Sequence, residues 1–173
     1  MINYKETLKD ITTLMFDFDG VLTDGKVLVL PDGEQLRMSN VRDGYALQLA
    51  IKKGFNIVII TGGKSESMAK RFEALGITDV FLGVPNKMEV FESYLKEHLL
   101  TPKEVLYMGD DIPDYYVMKK SRIAACPANA CSEIKNISHY ISHYNGGEGC
   151  VRDIIEQVLK VNGKWFDKDA HEW

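Results

Sequence analysis

The chain has 173 residues, of which 45% are hydrophobic and 27% are charged, and its net charge is −4. This length predicts a single domain over residues 1–173, too short to carry a second large domain over an active site. The mixed, slightly acidic charge argues against electrostatic binding of nucleic acid. No apolar run has the length of a signal peptide or a membrane span, so we expect a cytoplasmic protein without nucleic-acid or membrane partners.

Short apolar runs alternate with amphipathic segments, which is typical of an α/β fold with a doubly wound (Rossmann-like) parallel sheet and helices on both faces. The predicted strands are Thr13–Phe18, Asn56–Ile60, Val80–Leu82, Val105–Met108 and Ile123–Ala125. The predicted helices are Tyr45–Lys53, Ser65–Leu75, Lys87–His98, Asp114–Lys120 and Val151–Val161. Within Lys26–Ser39, Pro-Asp-Gly stands between two strand-like runs and predicts a protruding β-hairpin. The tail, residues 163–173, is expected to be either frayed or pinned on an apolar surface.

Two carboxylates follow the first predicted strand. Asp17 and Asp19 are two positions apart, so in extended chain they point the same way, at the strand end where open α/β sheets bind ligands. Two anions held together need relief from a cation, and oxygen ligands favour Mg²⁺. A turn with two solvated acids is the alternative interpretation.

A second acidic group follows the strand Val105–Met108. Asp110, Asp111 and Asp114 lie within five positions after a glycine. Such a group alone would be consistent with helix capping. Because it recurs at a second strand end, we expect both groups to share one metal ion.

Two further signals point to an anion. Thr61, Gly62 and Gly63 follow an apolar strand and precede a helix, which offers a hydroxyl and free N–H groups to a phosphate. Lys87 stands at a helix start, where the helix dipole disfavours a cation, so it is a candidate for binding an anion.

The ordered set Asp17-x-Asp19, Thr61, Lys87 and Gly109-Asp110-Asp111-x-x-Asp114 resembles the motifs of the haloacid dehalogenase superfamily of phosphotransferases. Within it the chain resembles the cap-less phosphatases of 3-deoxy-D-manno-octulosonate 8-phosphate, which act in lipopolysaccharide precursor biosynthesis. Supporting segments are residues 19–25, 40–46 and 146–152.

The resemblance implies a role for each matching residue. Asp17 would be the nucleophile, forming an aspartyl-phosphate, and Asp19 the general acid and base. Thr61, Gly62 and Lys87 would bind the phosphoryl group. Mg²⁺ would be held by Asp17, Asp110 and the main-chain carbonyl of Asp19, with Asp111 and Asp114 in support. The substrate, a phosphorylated sugar acid, would be contacted by Asn40, Arg42, Asp43, Gly44, Gly63 and Arg71.

Two departures leave the substrate open. Gly63 stands where octulosonate phosphatases usually carry a basic residue, and Glu148 replaces their usual arginine. Both favour, as an alternative, a phosphatase of a nine-carbon keto sugar acid 9-phosphate (2-keto-3-deoxynononate or N-acylneuraminate). An alternative of another class is a receiver-like phospho-acceptor domain. Asp19 argues against it, because such domains place no general acid two residues after the phosphorylated aspartate.

Related phosphatases insert a cap domain at one of two places. Here the first interval, Gly25 to Arg42, has 18 residues, and the second, Gly62 to Asn86, has 25, so neither holds a cap. Because phosphoryl transfer benefits from a site that limits water, we predict that a neighbouring subunit closes it with the Lys26–Ser39 hairpin and the Trp165–Trp173 tail. The resemblance implies a homotetramer with shared active sites.

Overall fold

The computed structural model describes residues 4–171 and confirms the predicted alternation of strands and helices. Within this range the strands are β1 (Thr13–Phe16), β2 (Leu28–Val29), β3 (Gln35–Leu36), β4 (Asn56–Ile60), β5 (Asp79–Phe81), β6 (Val105–Met108), β7 (Ile123–Cys126) and β8 (Tyr140–Ile141). The α-helices are α1 (Tyr4–Thr7), α2 (Val41–Lys52), α3 (Glu66–Ala74), α4 (Lys87–Glu97), α5 (Tyr115–Lys120), α6 (Ser132–Ile137) and α7 (Cys150–Val161).

The main sheet has six parallel strands in the order β5-β4-β1-β6-β7-β8. Every residue of β1 is buried, as expected for a strand covered on both faces. Leu14 and Phe16 pack with α2, α3 and α7, whereas Met15 packs on the other face with α4, α5 and α6. The doubly wound sheet is therefore confirmed, and β1 lies at its centre.

The predicted and observed bounds differ by at most two residues, as in β1, which ends at Phe16 instead of Phe18, with one larger exception. The helix predicted from Tyr45 begins at Val41, because the Asn40 side chain accepts a hydrogen bond from the N–H of Arg42 and caps it. The short helix α6 has no predicted counterpart, since Ile134 is its one buried residue and a single buried position shows no helical period.

The predicted hairpin is present as an antiparallel pair. Leu28 of β2 pairs with Leu36 of β3, and the Gly33 N–H donates to the Leu30 carbonyl across the turn. The interval from Gly62 to Asn86 is filled by α3 and β5, so the part of the chain that the structure describes contains no cap domain at either insertion point.

The tail lies on its own chain up to His171. Trp165 packs against the core and lies under the guanidinium of Arg152, 5.1 Å from its ring centre. The Lys53 ammonium pairs with the carboxylates of Asp167 and Asp169. The tail is therefore pinned rather than frayed, while its last two residues lie outside the described range.

Among residues 4–171, no helix combines the length and apolar character needed to cross a membrane. Cys126, Cys131 and Cys150 are free thiols, and the first and last of them are buried.

Candidate active site

The candidate site lies at the carboxyl edge of three neighbouring strands. Asp17 directly follows β1, Thr61 directly follows β4, and Asp110 follows β6 after one glycine. Since β4, β1 and β6 are adjacent in the sheet, the predicted motifs converge at one edge, where open α/β sheets bind ligands.

The Asp17 carboxylate is buried just after the end of β1, next to the start of α4. Its Oδ1 accepts a hydrogen bond from the N–H of Phe18 at 2.7 Å and lies 2.8 Å from Lys87 Nζ. The N–H of Asp17 donates to the Met108 carbonyl at 3.0 Å, which ties the residue to β6. Burial, and then the charge of Asp114, raise the pKa of Asp17 to about 7 against the lowering effect of Lys87.

Lys87 links the two acidic motifs. It opens α4, and its buried Nζ lies 2.8 Å from Asp17 Oδ1 and 2.7 Å from Asp114 Oδ1. The helix dipole disfavours an ammonium at this position, so the two carboxylates are what stabilise it there. Burial lowers the pKa of Lys87, but the charges of Asp114 and Asp17 outweigh this effect and raise it, so the ammonium keeps its charge.

Asp114 is the buried centre of this network. Its Oδ1 accepts hydrogen bonds from Lys87 Nζ at 2.7 Å and from the Tyr107 hydroxyl at 2.8 Å, and its Oδ2 accepts one from the N–H of Asp110 at 3.2 Å. These donors satisfy a carboxylate that would otherwise be costly to bury. Because its Oδ1 is already used twice, Asp114 serves to position Lys87 and Asp110.

The acidic cluster fits a divalent metal ion. One carboxylate oxygen from each of Asp17, Asp110 and Asp114 lies within 4.8 Å of the others. Asp110 Oδ1 is buried and has no hydrogen-bond partner among the described residues. Burial, and then the charges of Asp17 and Asp114, raise the pKa of Asp110 to about 7. An all-oxygen set with uncompensated negative charge is what Mg²⁺ prefers, and Asp17 and Asp110 are the side chains left to hold it.

Gly20 makes room for this cluster. Its φ of +88° lies in the left-handed region, and a Cβ there would lie 2.0 Å from Asp110 Oδ2. A side chain at this position would therefore displace the carboxylate of Asp110. Asp111, in contrast, is exposed, and its carboxylate accepts the N–H of Ile112 to start the turn that carries Asp114.

Asp19 forms an ion pair that sequence reasoning missed. Arg37 Nε donates to Asp19 Oδ1 at 2.6 Å, and Arg37 Nη2 donates to Oδ2 at 3.1 Å. Arg37 directly follows β3, so the hairpin already lines the site of its own chain. No local signal marks Arg37, because it stands in a short alternating run and its partner is 18 positions away.

Thr61, Gly63 and Asp19 surround one space. The buried Thr61 Oγ1 accepts the N–H of Gly63 at 3.0 Å, and a Cβ on Gly63 would lie 3.4 Å from both Asp19 Oδ2 and Thr61 Oγ1. Above them lies a cavity of about 750 Å³, called the polar cavity here, with Asp19, Arg37, Gly62, Gly63 and Lys64 in its wall. The predicted phosphate-binding loop therefore opens on a space large enough for a sugar.

The predicted substrate residue Asp43 supports the fold instead of lining that space. Its side chain is buried, and its Oδ1 accepts the N–H of Arg152 at 2.7 Å at the start of α7. Burial raises the pKa of Asp43 to about 6, against the lowering effects of hydrogen bonds from main-chain N–H groups at the start of α7 and of the Arg152 charge. Asp43 thus caps α7, whose own N-cap residue is a glycine without a side chain.

Of the other predicted substrate residues, some line a second cavity and one lies apart from both cavities. Arg71 lines a second space of about 210 Å³, the inner cavity, and Gly44 gives its guanidinium room, since a Cβ there would lie 2.8 Å from Arg71 Nη2. Asn40 also borders the inner cavity, besides capping α2. Arg42 is exposed and lines a separate surface depression beside Glu148, so it lies apart from the polar cavity.

A glycine turn before α7 packs directly on the loop that follows β1. A Cβ on Gly146 would lie 1.8 Å from the carbonyl oxygen of Gly20, and the N–H of Gly147 donates to the Val21 carbonyl at 2.9 Å. This close contact between the two backbones explains why residues 146 and 147 are both glycine. It also fixes the backbone next to Asp19.

The fold and the site define a phosphatase of the haloacid dehalogenase type: a doubly wound sheet with Asp17, Asp19, Thr61, Lys87 and Asp110 at one edge. No protein-family model matches the chain. It is, however, 35% identical over 156 residues to 3-deoxy-D-manno-octulosonate 8-phosphate phosphatase KdsC of Salmonella typhi, covering 90% of this chain and 83% of the relative.

Solved structures agree with this result. The 3-deoxy-D-manno-octulosonate 8-phosphate phosphatase of Yersinia pestis superimposes with a TM-score of 0.90 at 31% identity, covering 92% of this chain and 86% of that one. The Moraxella catarrhalis enzyme, solved with a magnesium ion, a phosphate ion and KDO, gives a TM-score of 0.89 at 29% identity, covering 93% of each chain. The chain therefore belongs to the 3-deoxy-D-manno-octulosonate 8-phosphate phosphatase family, within the haloacid dehalogenase superfamily.

Proposed function

We propose that this protein is a Mg²⁺-dependent phosphatase of 3-deoxy-D-manno-octulosonate 8-phosphate. The observation that carries the proposal is the buried Lys87 ammonium held between Asp17 and Asp114, beside an Asp110 oxygen that has no hydrogen-bond partner within residues 4–171. This arrangement leaves one carboxylate for attack and one open metal-binding oxygen. The relatives named for this activity support the choice of ester.

The reaction follows from what these residues can do. An Asp17 carboxylate oxygen attacks phosphorus, the ester bond to the sugar breaks, and Asp19 gives its proton to the leaving sugar oxygen. Water then attacks the aspartyl-phosphate, Asp19 takes a proton from it, and phosphate leaves Asp17 as a carboxylate again. The Thr61 hydroxyl, the Gly62 N–H and the Lys87 ammonium bind the phosphoryl oxygens throughout.

Mg²⁺, when bound, neutralises charge on the phosphoryl group and keeps the Asp17 carboxylate ionised near neutral pH. Asp17 and Asp110 would hold it. Without the ion, the raised pKa of Asp17 leaves part of the nucleophile protonated.

The proposal is tested by phosphate release from the purified protein. Wild type with Mg²⁺ should hydrolyse the octulosonate ester, whereas Asp17→Asn should lose activity because an amide is no nucleophile. Asp10→Asn, an exposed acid remote from the sheet edge, serves as the matched control. Equal turnover by Asp17→Asn and the control would refute the mechanism.

One observation favours a second substrate. Gly63 leaves the wall of the polar cavity without a side chain next to Asp19, which makes room for a longer sugar. A nine-carbon keto sugar acid 9-phosphate is therefore the second candidate. Comparing kcat/KM for the eight- and nine-carbon esters decides between them.

The site is completed, in this proposal, within a cytoplasmic homotetramer that serves lipopolysaccharide precursor synthesis. Support comes from the hairpin, where Leu28 and Met38, which are 63% and 78% exposed, line one surface depression. An exposed apolar patch of this kind marks an interface. Light scattering of the wild type and of Leu28→Asp tests it: a wild-type monomer with full activity would contradict the shared site.

A further inference from the structure

The ion pair between Asp19 and Arg37 occupies both oxygens of the proposed general acid. Nε and Nη2 of the guanidinium donate to Oδ1 at 2.6 Å and Oδ2 at 3.1 Å, which is the two-bond geometry that arginine offers to any carboxylate. Gln35 holds the guanidinium from the other side, since its carbonyl and its Oε1 each accept a hydrogen bond at 3.3 Å. The Arg37 side chain is only 9% exposed, so it is already largely desolvated.

Arg37 also stands where a substrate would lie. It lines both the polar cavity, with Asp19 and Gly62, and the inner cavity, with Arg71. Lys64, the other cation in the wall of the polar cavity, is exposed and carries its charge on a flexible stem. Arg71 lines the inner cavity alone, whereas the Arg37 guanidinium borders both cavities and can reach a second anionic group on a phosphate ester bound at Thr61.

We propose that Arg37 is a specificity-determining residue that binds the carboxylate of the substrate and releases Asp19 in exchange. The inference rests on the proposed function, because it requires a phosphate ester that also carries a carboxylate. While Arg37 donates to both Asp19 oxygens, it takes the favoured positions for a carboxyl proton. Once the guanidinium has left, the carboxylate can take a proton from solvent and donate it to the leaving sugar oxygen. A substrate carboxylate that takes over the guanidinium frees Asp19 at the moment when it is needed.

The exchange makes a prediction that simple orientation of Asp19 does not make. Arg37→Gln should lower kcat/KM for the octulosonate ester by about 10- to 100-fold, the loss expected for hydrogen bonds to a charged group. The same variant should hydrolyse glucose 6-phosphate, which has no carboxylate, at least as fast as wild type, because Asp19 is no longer held. Arg37→Lys keeps the charge without the two-pronged geometry and should recover only part of the selectivity.

The experiment measures kcat and KM for both esters with wild type, Arg37→Gln, Arg37→Lys and the exposed control Lys96→Gln, after circular dichroism confirms that each variant is folded. A collapse of the preference for the acid ester in Arg37→Gln alone supports the proposal. An equal loss on both esters overturns it, because Arg37 would then only orient Asp19. Wild type that prefers neither ester also overturns it while leaving the phosphatase intact, whereas wild type that hydrolyses neither ester refutes the proposed function itself.

A binding measurement gives a second readout. Calorimetric titration of the free octulosonate, which keeps the carboxylate but has no phosphate, should show a Kd raised by about 10-fold or more in Arg37→Gln. Inorganic phosphate should bind wild type and variant alike, because its proposed partners are Thr61, Gly62 and Lys87. An unchanged Kd for the octulosonate would overturn the assignment.

Discussion

Replacing Lys87 by methionine should destabilise the metal-free protein strongly. Methionine keeps most of the apolar stem but removes the Nζ that lies 2.8 Å from Asp17 and 2.7 Å from Asp114. Removing one partner of a buried ion pair costs about 3–5 kcal/mol, since the other charge is left uncompensated. Taking a cation away from the start of α4 recovers about 0.3–1 kcal/mol of unfavourable interaction with the helix dipole. We therefore expect a net loss of about 2–5 kcal/mol in the free energy of unfolding.

Urea unfolding followed by circular dichroism in EDTA measures this loss. Lys96→Met, on the exposed face of the same helix, is the matched control and should change stability by no more than about 0.5 kcal/mol. Saturating Mg²⁺ should narrow the gap between Lys87→Met and wild type, because the ion supplies positive charge to the same carboxylates. If both variants unfold at the same urea concentration in EDTA, the ammonium does not compensate the buried acids and the reasoning fails.

Three further predictions concern the surroundings of the site. Asp17 and Asp110 have pKa values of about 7 in the fold, against an ordinary pKa of 3.8, so their protonation contributes stability that is fully present below pH 3.8 and is lost as pH rises through about 7. Urea midpoints measured in EDTA should therefore fall over this pH range, and Mg²⁺ should flatten the decline. A midpoint independent of pH would contradict this prediction. Gly146→Ala should lower the free energy of unfolding by about 1–3 kcal/mol and lower kcat, because its Cβ would meet the Gly20 carbonyl. A variant with the melting temperature and turnover of the wild type would disprove the close approach. Asp43→Ala should lower the free energy of unfolding by about 0.5–2 kcal/mol, because it removes a helix cap, and should leave KM unchanged. A raised KM with unchanged stability would instead make Asp43 a substrate residue.

The position of the site was predictable because its residues sit at strand ends. Asp17, Thr61 and Asp110 each follow a short apolar run, and a parallel sheet brings the carboxyl ends of such runs to one edge whatever the loops do. Lys87 was predictable for a related reason: a cation at a helix start is unfavourable unless an anion compensates it. These signals are local, so the sequence carries them without knowledge of the tertiary contacts.

The contacts between elements were not predictable in this way. Arg37 reaches Asp19 only because the hairpin folds back over the sheet edge, and Asp43 caps α7, which begins more than 100 positions later. Gly146 looks like an ordinary turn glycine until its distance to the Gly20 carbonyl is known. Each role depends on which surfaces meet, and no periodicity or spacing in a single sequence encodes that.

The charge balance of the site favours a divalent metal ion. Asp17, Asp110 and Asp114 bring three carboxylates into a buried cluster that contains one ammonium, Lys87, so two negative charges remain when all groups are ionised. Burial, and then the neighbouring carboxylates, raise the pKa of Asp17 and of Asp110, so the metal-free fold relieves part of that excess by holding protons. A divalent cation neutralises the same excess while leaving Asp17 unprotonated, so the ion that stabilises the cluster would also keep the proposed nucleophile ionised. Lowering this charge, as in Asp114→Asn, should therefore weaken the metal's stabilising effect together with the reaction.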